Sequence, residues 1–126
     1  MIMITGGAYQ GKNEYVKKRF DLSDSDILDG GTDDLAALDN AKCVRHYELA
    51  VKRLLDSGED PLSFTERLSC NIVIMNEIGC GIIPLEKKER VWREMTGRCG
   101  CMLAGRAEEV VRVCCGIAEV IKGEKN

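Results

Sequence analysis

The chain has 126 residues, 44% of them hydrophobic and 31% charged, and its formal net charge at pH 7 is -3. This size and composition fit one compact domain over residues 1–126, and the lack of a basic balance disfavours a nucleic-acid partner. No apolar run is long enough to span a bilayer, and the start does not resemble a signal peptide. We therefore expect a cytoplasmic protein with no membrane partner, in which the seven cysteines are reduced thiols rather than a disulfide framework.

The first third of the chain predicts a strand, a glycine-rich loop, a helix and a second strand. Residues 1–5 are apolar and are followed by Gly6-Gly7, as expected of a buried strand that ends in a turn. A helix is predicted over residues 11–20. Ile27-Leu28 predicts a second short strand, which ends at Asp29-Gly30-Gly31.

The middle of the chain predicts a long helix over residues 33–57. Its apolar side chains follow the spacing of one helix face: Val44, Tyr47, Val51, Leu54 and Leu55. Gly58 and Pro61 act as stop signals, and residues 65–69 add a helical turn. Residues 71–75 predict a strand, residues 77–84 a glycine-rich loop and residues 85–104 a helix in which Gly97 and Gly100 indicate a bend. Residues 109–115 and 117–121 predict a final pair of strands.

This alternation of strands and helices predicts an α/β fold with a mainly parallel sheet, helices on both faces and a short C-terminal β pair. Ligands on such sheets bind beyond the carboxyl ends of the strands. The loops at residues 6–12, 29–32 and 76–84 are therefore the candidate ligand loops.

The first of these loops fits the phosphate-binding pattern G-x-x-x-x-G-K. Its residues are Gly6, Gly7, Ala8, Tyr9, Gln10, Gly11, Lys12 and Asn13. In a P-loop the backbone amides of the glycine-rich loop surround a phosphate, and the lysine reaches the β- and γ-phosphates. The residue after the lysine is Ser or Thr, whose hydroxyl coordinates Mg²⁺. From the loop pattern we expect GTP or ATP as the ligand. Because Asn13 stands where the hydroxyl residue would be, we expect Mg²⁺ to be bound more weakly. The alternative is an ordinary strand-to-helix turn that contains three glycines and a lysine.

Three residues of the other loops are candidate metal or nucleotide contacts. Asp29 ends the second predicted strand, where a Walker-B-like acid would hold Mg²⁺ or its waters. Thr32 follows it, although Thr32 and the next two aspartates equally fit a helix N-cap with acids in the first turn. Glu77 directly follows an apolar strand, at the expected ligand edge.

Residues 76–84, Asn-Glu-Ile-Gly-Cys-Gly-Ile-Ile-Pro, resemble the signature loop of the bifunctional adenosylcobinamide kinase/adenosylcobinamide-phosphate guanylyltransferases of cobalamin biosynthesis. The apolar start with Thr5-Gly6-Gly7, the Asp29–Thr32 spacing, residues 90–97 and residues 107–117 extend this resemblance along most of the chain. It implies a P-loop NTPase-like fold, a purine nucleotide and adenosylcobinamide as ligands, and a homo-oligomer.

The sequence also departs from the pattern of that family. Family members are longer, and the segment that carries the histidine taking up GMP is missing before the strand that ends at Asp29. The single histidine, His46, falls within the predicted middle helix, roughly 20 Å from the phosphate by helical rise. We interpret it as a residue on a solvated helix side, together with Arg45, Glu48 and Arg53.

Two functional hypotheses of different classes follow, and the catalytic residues are unassigned in both. The first is a nucleotide-binding member of this family that keeps a kinase or nucleotidyltransferase role in the corrinoid pathway. The second is a degenerate, non-catalytic relative that acts as a nucleotide-binding or protein-interaction module. A zinc or redox protein built on the cysteines is a third possibility, although no C-x-x-C pair occurs.

Overall fold

The computed structural model of the protein describes residues 1–78 and 86–123. Six strands form one sheet in the order β2-β3-β4-β1-β5-β6. The strands are β1 (Ile2–Gly6), β2 (Ile27–Asp29), β3 (Cys43–Arg45), β4 (Ile72–Asn76), β5 (Glu109–Cys114) and β6 (Ile117–Lys122). The helices are α1 (Lys12–Phe20), α2 (Tyr47–Asp56), α3 (Pro61–Arg67) and α4 (Lys87–Arg106), and short 3-10 turns lie at Asp24–Asp26 and Leu35–Leu38.

The sheet is parallel except at its C-terminal edge, where β6 runs antiparallel to β5. Because successive side chains of a strand point to opposite faces, neighbours such as Met3 and Ile4, or Val73 and Ile74, enter different cores. One core also holds buried residues of α2 and α4, and the other holds Val16 of α1. The predicted α/β class, with helices on both faces and a C-terminal β pair, is confirmed.

The predicted helix over residues 33–57 is wrong. The structure has a 3-10 turn, strand β3 and the shorter helix α2 in its place. Cys43 and Val44 are both fully buried and belong to the cores on opposite faces of the sheet. Adjacent residues reach opposite faces in a strand that is covered on both sides, so the apolar pattern of this buried parallel strand resembles part of a helix face.

Two smaller differences concern the helices that follow. The predicted turn at residues 65–69 overlaps only the end of α3 (Pro61–Arg67), which begins at Pro61 because proline suits the first helical position. Asp60 caps this helix by accepting a hydrogen bond from the Leu62 amide at 3.1 Å. Helix α4 runs through Gly97 and Gly100 as one element. Among the described helices, none is long and apolar enough to cross a membrane.

Candidate phosphate-binding site

The loop after β1 depends on two glycines with backbone angles that other residues rarely adopt. Gly6 has φ +147°, and a Cβ at this position would lie 2.3 Å from the carbonyl oxygen of Val113 in β5. Gly11 has φ +91° and is the residue from which α1 begins. The loop therefore leaves the sheet tightly against β5 and delivers the chain directly into a helix.

Lys12 is the first residue of α1 and is only 6% exposed. Its ammonium group turns back and donates a hydrogen bond to the carbonyl oxygen of Gly7 at 2.5 Å. Burial lowers the pKa of Lys12, and the negative charges of Glu48 and Glu77 oppose that effect. Within the part of the chain that the structure describes, the Gly7 carbonyl is the hydrogen-bond partner of this poorly solvated cation, which is placed to exchange that partner for an anion.

The amino end of α1 supplies a second attraction for an anion. Within the described part of the chain, no protein hydrogen bond takes up the backbone amides of Gly11, Lys12 and Asn13. Free amides at a helix start, together with the helix dipole, favour negative charge. The loop, the lysine and the helix end thus favour a phosphate at the same place.

A cleft of about 510 Å³ opens over this loop. It is lined by residues 8–14, by Ile74 and Asn76 of β4, and by His46. Tyr9 lies at the loop tip with φ +60° and a fully exposed side chain. Residues 8–13, which the sequence assigned to the phosphate loop, therefore all line one cleft. Gly6 and Gly7 directly precede them in the chain.

The position of His46 differs from the one predicted from the sequence. It does not lie inside a helix, because β3 ends at Arg45 and His46 is the left-handed residue, φ +53° and ψ +45°, that precedes α2. His46 lines the cleft over the loop, and its Nδ1 lies 3.4 Å from Oδ2 of Asp29. The expected separation of roughly 20 Å assumed a continuous helix and fails because that helix does not exist.

The residues around His46 are not a solvated helix side either. Glu48 is 3% exposed, and its Oε1 accepts a hydrogen bond from the Asn76 amide at 2.9 Å. The indole of Trp92 in α4 donates to the Glu48 carbonyl at 2.8 Å. Arg53 donates to the carbonyls of Gly30 and Asp33 at 2.9 and 2.7 Å. Glu48 in the first turn of α2 therefore holds this helix to β4 and α4, and Arg53 in its last turn holds it to the loop after β2.

Asp29 ends β2, as the sequence predicted, and is engaged with its neighbours. Its carboxylate accepts hydrogen bonds from the Gly31 amide at 2.8 Å and from Nε of Arg45 at 3.3 Å. Burial raises the pKa of Asp29, but the Gly31 amide, His46 and Arg45 outweigh it, and the pKa lies below its usual range. Strands β3 and β4 lie between β2 and β1, so Asp29 is separated from the phosphate loop, and His46, which contacts Asp29, is the residue that lines the cleft.

Thr32 and Glu77 occupy different surroundings. Thr32 is exposed in the turn after β2, where its amide donates to the carbonyl of Asp29 at 3.2 Å. Glu77 follows β4, and its amide donates to the carbonyl of Gly6 at 2.8 Å. Both carboxylate oxygens of Glu77 accept hydrogen bonds from Arg112, at 3.0 and 3.2 Å. Glu77 is thus next to the phosphate loop, whereas Thr32 is not among the residues that line the cleft.

No group of three or more His, Cys, Asp or Glu side chains suited to a metal ion occurs in residues 1–78 and 86–123. The metal roles expected of Asp29 and Glu77 therefore stay predictions. The glycines and proline of the signature loop, Gly79, Gly81 and Pro84, lie outside the described residues.

A family model described as cobinamide kinase / cobinamide phosphate guanyltransferase matches residues 33–121, more than two thirds of the chain. The chain belongs to this family. The matched range includes His46, Glu48, Glu77 and the C-terminal strands, and it begins after the phosphate loop. No curated protein matches the chain significantly. The resemblance seen in the sequence is therefore confirmed for the family, and the assignment of residues 6–13 as a P-loop stays a prediction.

Proposed function

We propose that this protein binds a purine nucleoside triphosphate, GTP or ATP, in the cleft over residues 6–13 and serves corrinoid metabolism in cobalamin biosynthesis. The observation that carries the proposal is a buried lysine at a glycine-bounded helix start, in a chain of the cobinamide kinase / cobinamide phosphate guanyltransferase family. In this proposal the loop amides hold the phosphates and Lys12 neutralises them. A cobinamide derivative is the second substrate that family membership supports.

The cleft is lined by more than one group that would contact a phosphate chain. Lys12 and the start of α1 line it together with His46, whose Nδ1 is oriented by Asp29. A histidine whose Nδ1 faces a carboxylate can present Nε2 to a ligand as a donor, base or nucleophile. This arrangement supports transfer chemistry in the cleft.

The second candidate is a relative that binds nucleotide without turnover. Asn13 favours it, because a carboxamide at this position cannot reproduce the compact hydroxyl ligand of Mg²⁺. Most P-loop enzymes depend on that ion to neutralise charge during phosphoryl transfer. Such a relative would act as a nucleotide-dependent interaction module, and we expect it to share the homo-oligomeric state predicted for the family.

Two measurements separate these candidates. Calorimetric titration with GTP and ATP, each with and without Mg²⁺, tests binding; no heat from either nucleotide would refute both candidates. Incubation with adenosylcobinamide and γ-labelled GTP or ATP then tests phosphoryl transfer. Labelled adenosylcobinamide phosphate supports the enzyme, whereas tight binding without transfer supports the interaction module.

A further inference from the structure

The turn between β5 and β6 is in direct contact with the phosphate loop. The amide of Cys115 donates to Oε1 of Gln10 at 2.6 Å, and the amide of Gly116 donates to the carbonyl oxygen of Gln10 at 2.9 Å. The backbones also meet, because a Cβ on Gly11 would lie 3.4 Å from Cα of Gly116. Gln10 therefore fastens the phosphate loop to this turn through both its side chain and its backbone.

The turn adopts a conformation that is unfavourable for one of its two central residues. Cys115 has φ +52° and Gly116 has φ +76°, as in the two-residue hairpin turns that need positive φ at both positions. Glycine meets this need freely, but a residue with a Cβ does so at a steric cost. The hydrogen bonds to Gln10 help to hold Cys115 in this conformation. A covalent change that alters the turn would therefore break these hydrogen bonds to the phosphate loop.

Two adjacent thiols lie at this turn, and both Cys114 and Cys115 are exposed. The thiols buried in the cores are protected, since burial raises the pKa of Cys43 to about 12 and that of Cys70 to about 11. The pKa of Cys99 is raised for the same reason. Because the thiolate is the reactive form, the exposed pair reacts before these core cysteines.

We propose that Cys114-Cys115 is a dithiol modification site whose oxidation by a low-molecular-weight disulfide releases the phosphate loop. One cysteine thiolate attacks the small disulfide, forming a mixed disulfide and expelling one small thiolate. The second cysteine thiolate attacks the mixed disulfide at the first cysteine's sulfur, which closes the Cys114–Cys115 bond and expels the other small thiolate. The protein pair loses two electrons and two protons, and the small disulfide is reduced to two thiols.

Ring closure in this pair requires the turn to rearrange. The Cβ atoms of a disulfide are usually about 3.5–4.5 Å apart, and cysteines whose Cβ bonds point apart cannot be joined without backbone movement. Adjacent side chains near a strand end point in different directions. Closing the bond therefore rotates the backbone at Cys115, which withdraws its amide from Gln10. The effect on nucleotide rests on the proposed function, but the effect on the loop does not.

The first experiment measures the contact between the turn and the loop. The protein is oxidised with glutathione disulfide, and the expected product has lost the mass of two hydrogen atoms and carries no adduct, with the loss located in the peptide that contains both Cys114 and Cys115. Amide hydrogen exchange at Cys115 and Gly116, whose amides donate to Gln10, should be faster in this product and slow again after reduction with dithiothreitol. An oxidised pair with unchanged exchange at these two amides, or oxidation that leaves this pair as free thiols, overturns the proposal.

Matched variants identify the site. A Cys80→Ser/Cys101→Ser background removes Cys101, which is exposed on α4, and Cys80, and it should still give the two-hydrogen product. Adding Cys115→Ser should abolish that product. Gln10→Ala, which removes the side-chain acceptor of the Cys115 amide, should show fast exchange of that amide before oxidation and little further change afterwards. A full additional increase in Gln10→Ala would mean that oxidation does not act through this contact, and it would overturn the proposal.

The nucleotide arm uses GTP and ATP as probes. The oxidised protein should bind them about fivefold more weakly than the reduced protein, the effect of roughly one lost hydrogen bond, and dithiothreitol should restore the affinity. Equal affinity in both states contradicts the release of a binding loop. If the reduced protein binds neither nucleotide, the proposed function fails, while the hydrogen-exchange arm still decides on the dithiol site.

Discussion

Lys12 carries most of the charge that the phosphate site offers to an anion. We predict that Lys12→Ala weakens GTP or ATP binding more than tenfold, because one charge-assisted contact contributes about 1.5–3 kcal/mol. Lys18→Ala is the matched control, since Lys18 is exposed on the same helix and should bind nucleotide as the unchanged protein does. Isothermal titration calorimetry measures both. Equal affinity in Lys12→Ala and the unchanged protein would remove the phosphate role of this lysine.

Asn13 lines the cleft one residue after Lys12, where a P-loop enzyme has the hydroxyl that binds Mg²⁺. We predict that nucleotide binding depends little on Mg²⁺ and that Asn13→Ser increases the dependence, since Mg²⁺ requires compact oxygen ligands in octahedral geometry. The measurement is a pair of titrations, with Mg²⁺ and with a chelator, for each protein. A strong Mg²⁺ requirement in the unchanged protein would show that another group supplies the ligand.

His46 faces the same cleft, so we predict that it contacts the phosphate chain. His46→Asn is the suitable variant, because asparagine tolerates the positive φ of this position. It should weaken triphosphate binding about tenfold, as one lost charge-assisted hydrogen bond would, and weaken monophosphate binding far less. Equal losses for triphosphate and monophosphate would indicate a structural role instead.

The same residue decides whether a covalent intermediate forms. The resemblance places the guanylylated histidine in a segment that we expect this sequence to lack, so we predict no acid-labile label after incubation with α-labelled GTP and denaturation. This prediction does not rest on distance, because His46 lies at the cleft. Acid-labile label that disappears in His46→Asn would make His46 the nucleophile.

The part of the candidate site that could be predicted from the sequence is the part formed by consecutive residues. Residues 6–13 form a contiguous motif, and a contiguous motif needs no knowledge of the rest of the fold. His46 and Glu48 were missed, because their positions depend on where β3 ends and α2 begins. The predicted helix began near Asp33 and put both residues on its outer face. In the structure α2 begins at Tyr47, and both residues lie at the ligand edge of the sheet.

At the scale of single elements, β3 shows why periodicity misled. It is three residues long, and its apolar pair Cys43-Val44 continues in phase with the apolar face of α2. Short apolar runs do not distinguish a buried strand from a buried helix segment. The other strands were predictable because glycines, asparagines or a distinct composition separate them from their neighbours.

The contact between the end of β2 and the start of α2 yields a prediction on stability. A Cβ on Gly30 would lie 2.6 Å from the carbonyl oxygen of His46, so Gly30→Ala should destabilise the fold by about 1–3 kcal/mol. Gly97→Ala is the control, since nothing lies within 4 Å of its Cβ and alanine favours a helix interior by about 1 kcal/mol. Urea unfolding should move the midpoints in opposite directions. A neutral Gly30→Ala would show that this contact yields easily.

At the scale of the whole molecule, the alternation of elements predicted a parallel sheet and its ligand edge, because parallel strands place all their carboxyl ends together. The lateral order could not be predicted. The sequence did not predict β3, so nothing indicated that a strand lies between β2, which ends at Asp29, and β4. The observed order puts β3 and β4 between β2 and β1, which explains why His46, rather than Asp29, lines the cleft.

Asp29 joins β2, β3 and the start of α2, and this gives a prediction for the stability of the whole fold. Its folded pKa is depressed, so its contribution is present above the unfolded value and is lost as the pH falls through the folded value. Asp29→Asn keeps the size of the side chain and removes its charge toward Arg45 and His46. The variant should therefore be less stable by about 1 kcal/mol at neutral pH, a modest value because the side chain is partly solvated.

Urea unfolding of both proteins between about pH 7 and about pH 3 checks this prediction. The two free energies of unfolding should converge as Asp29 becomes protonated in the folded state, because the charge that distinguishes the proteins is then absent from both. Glu66→Gln is a matched control, since Glu66 is exposed on α3 and should leave the pH profile unchanged. A difference between Asp29→Asn and the unchanged protein that stays constant down to the lowest pH would indicate a change in packing rather than in charge.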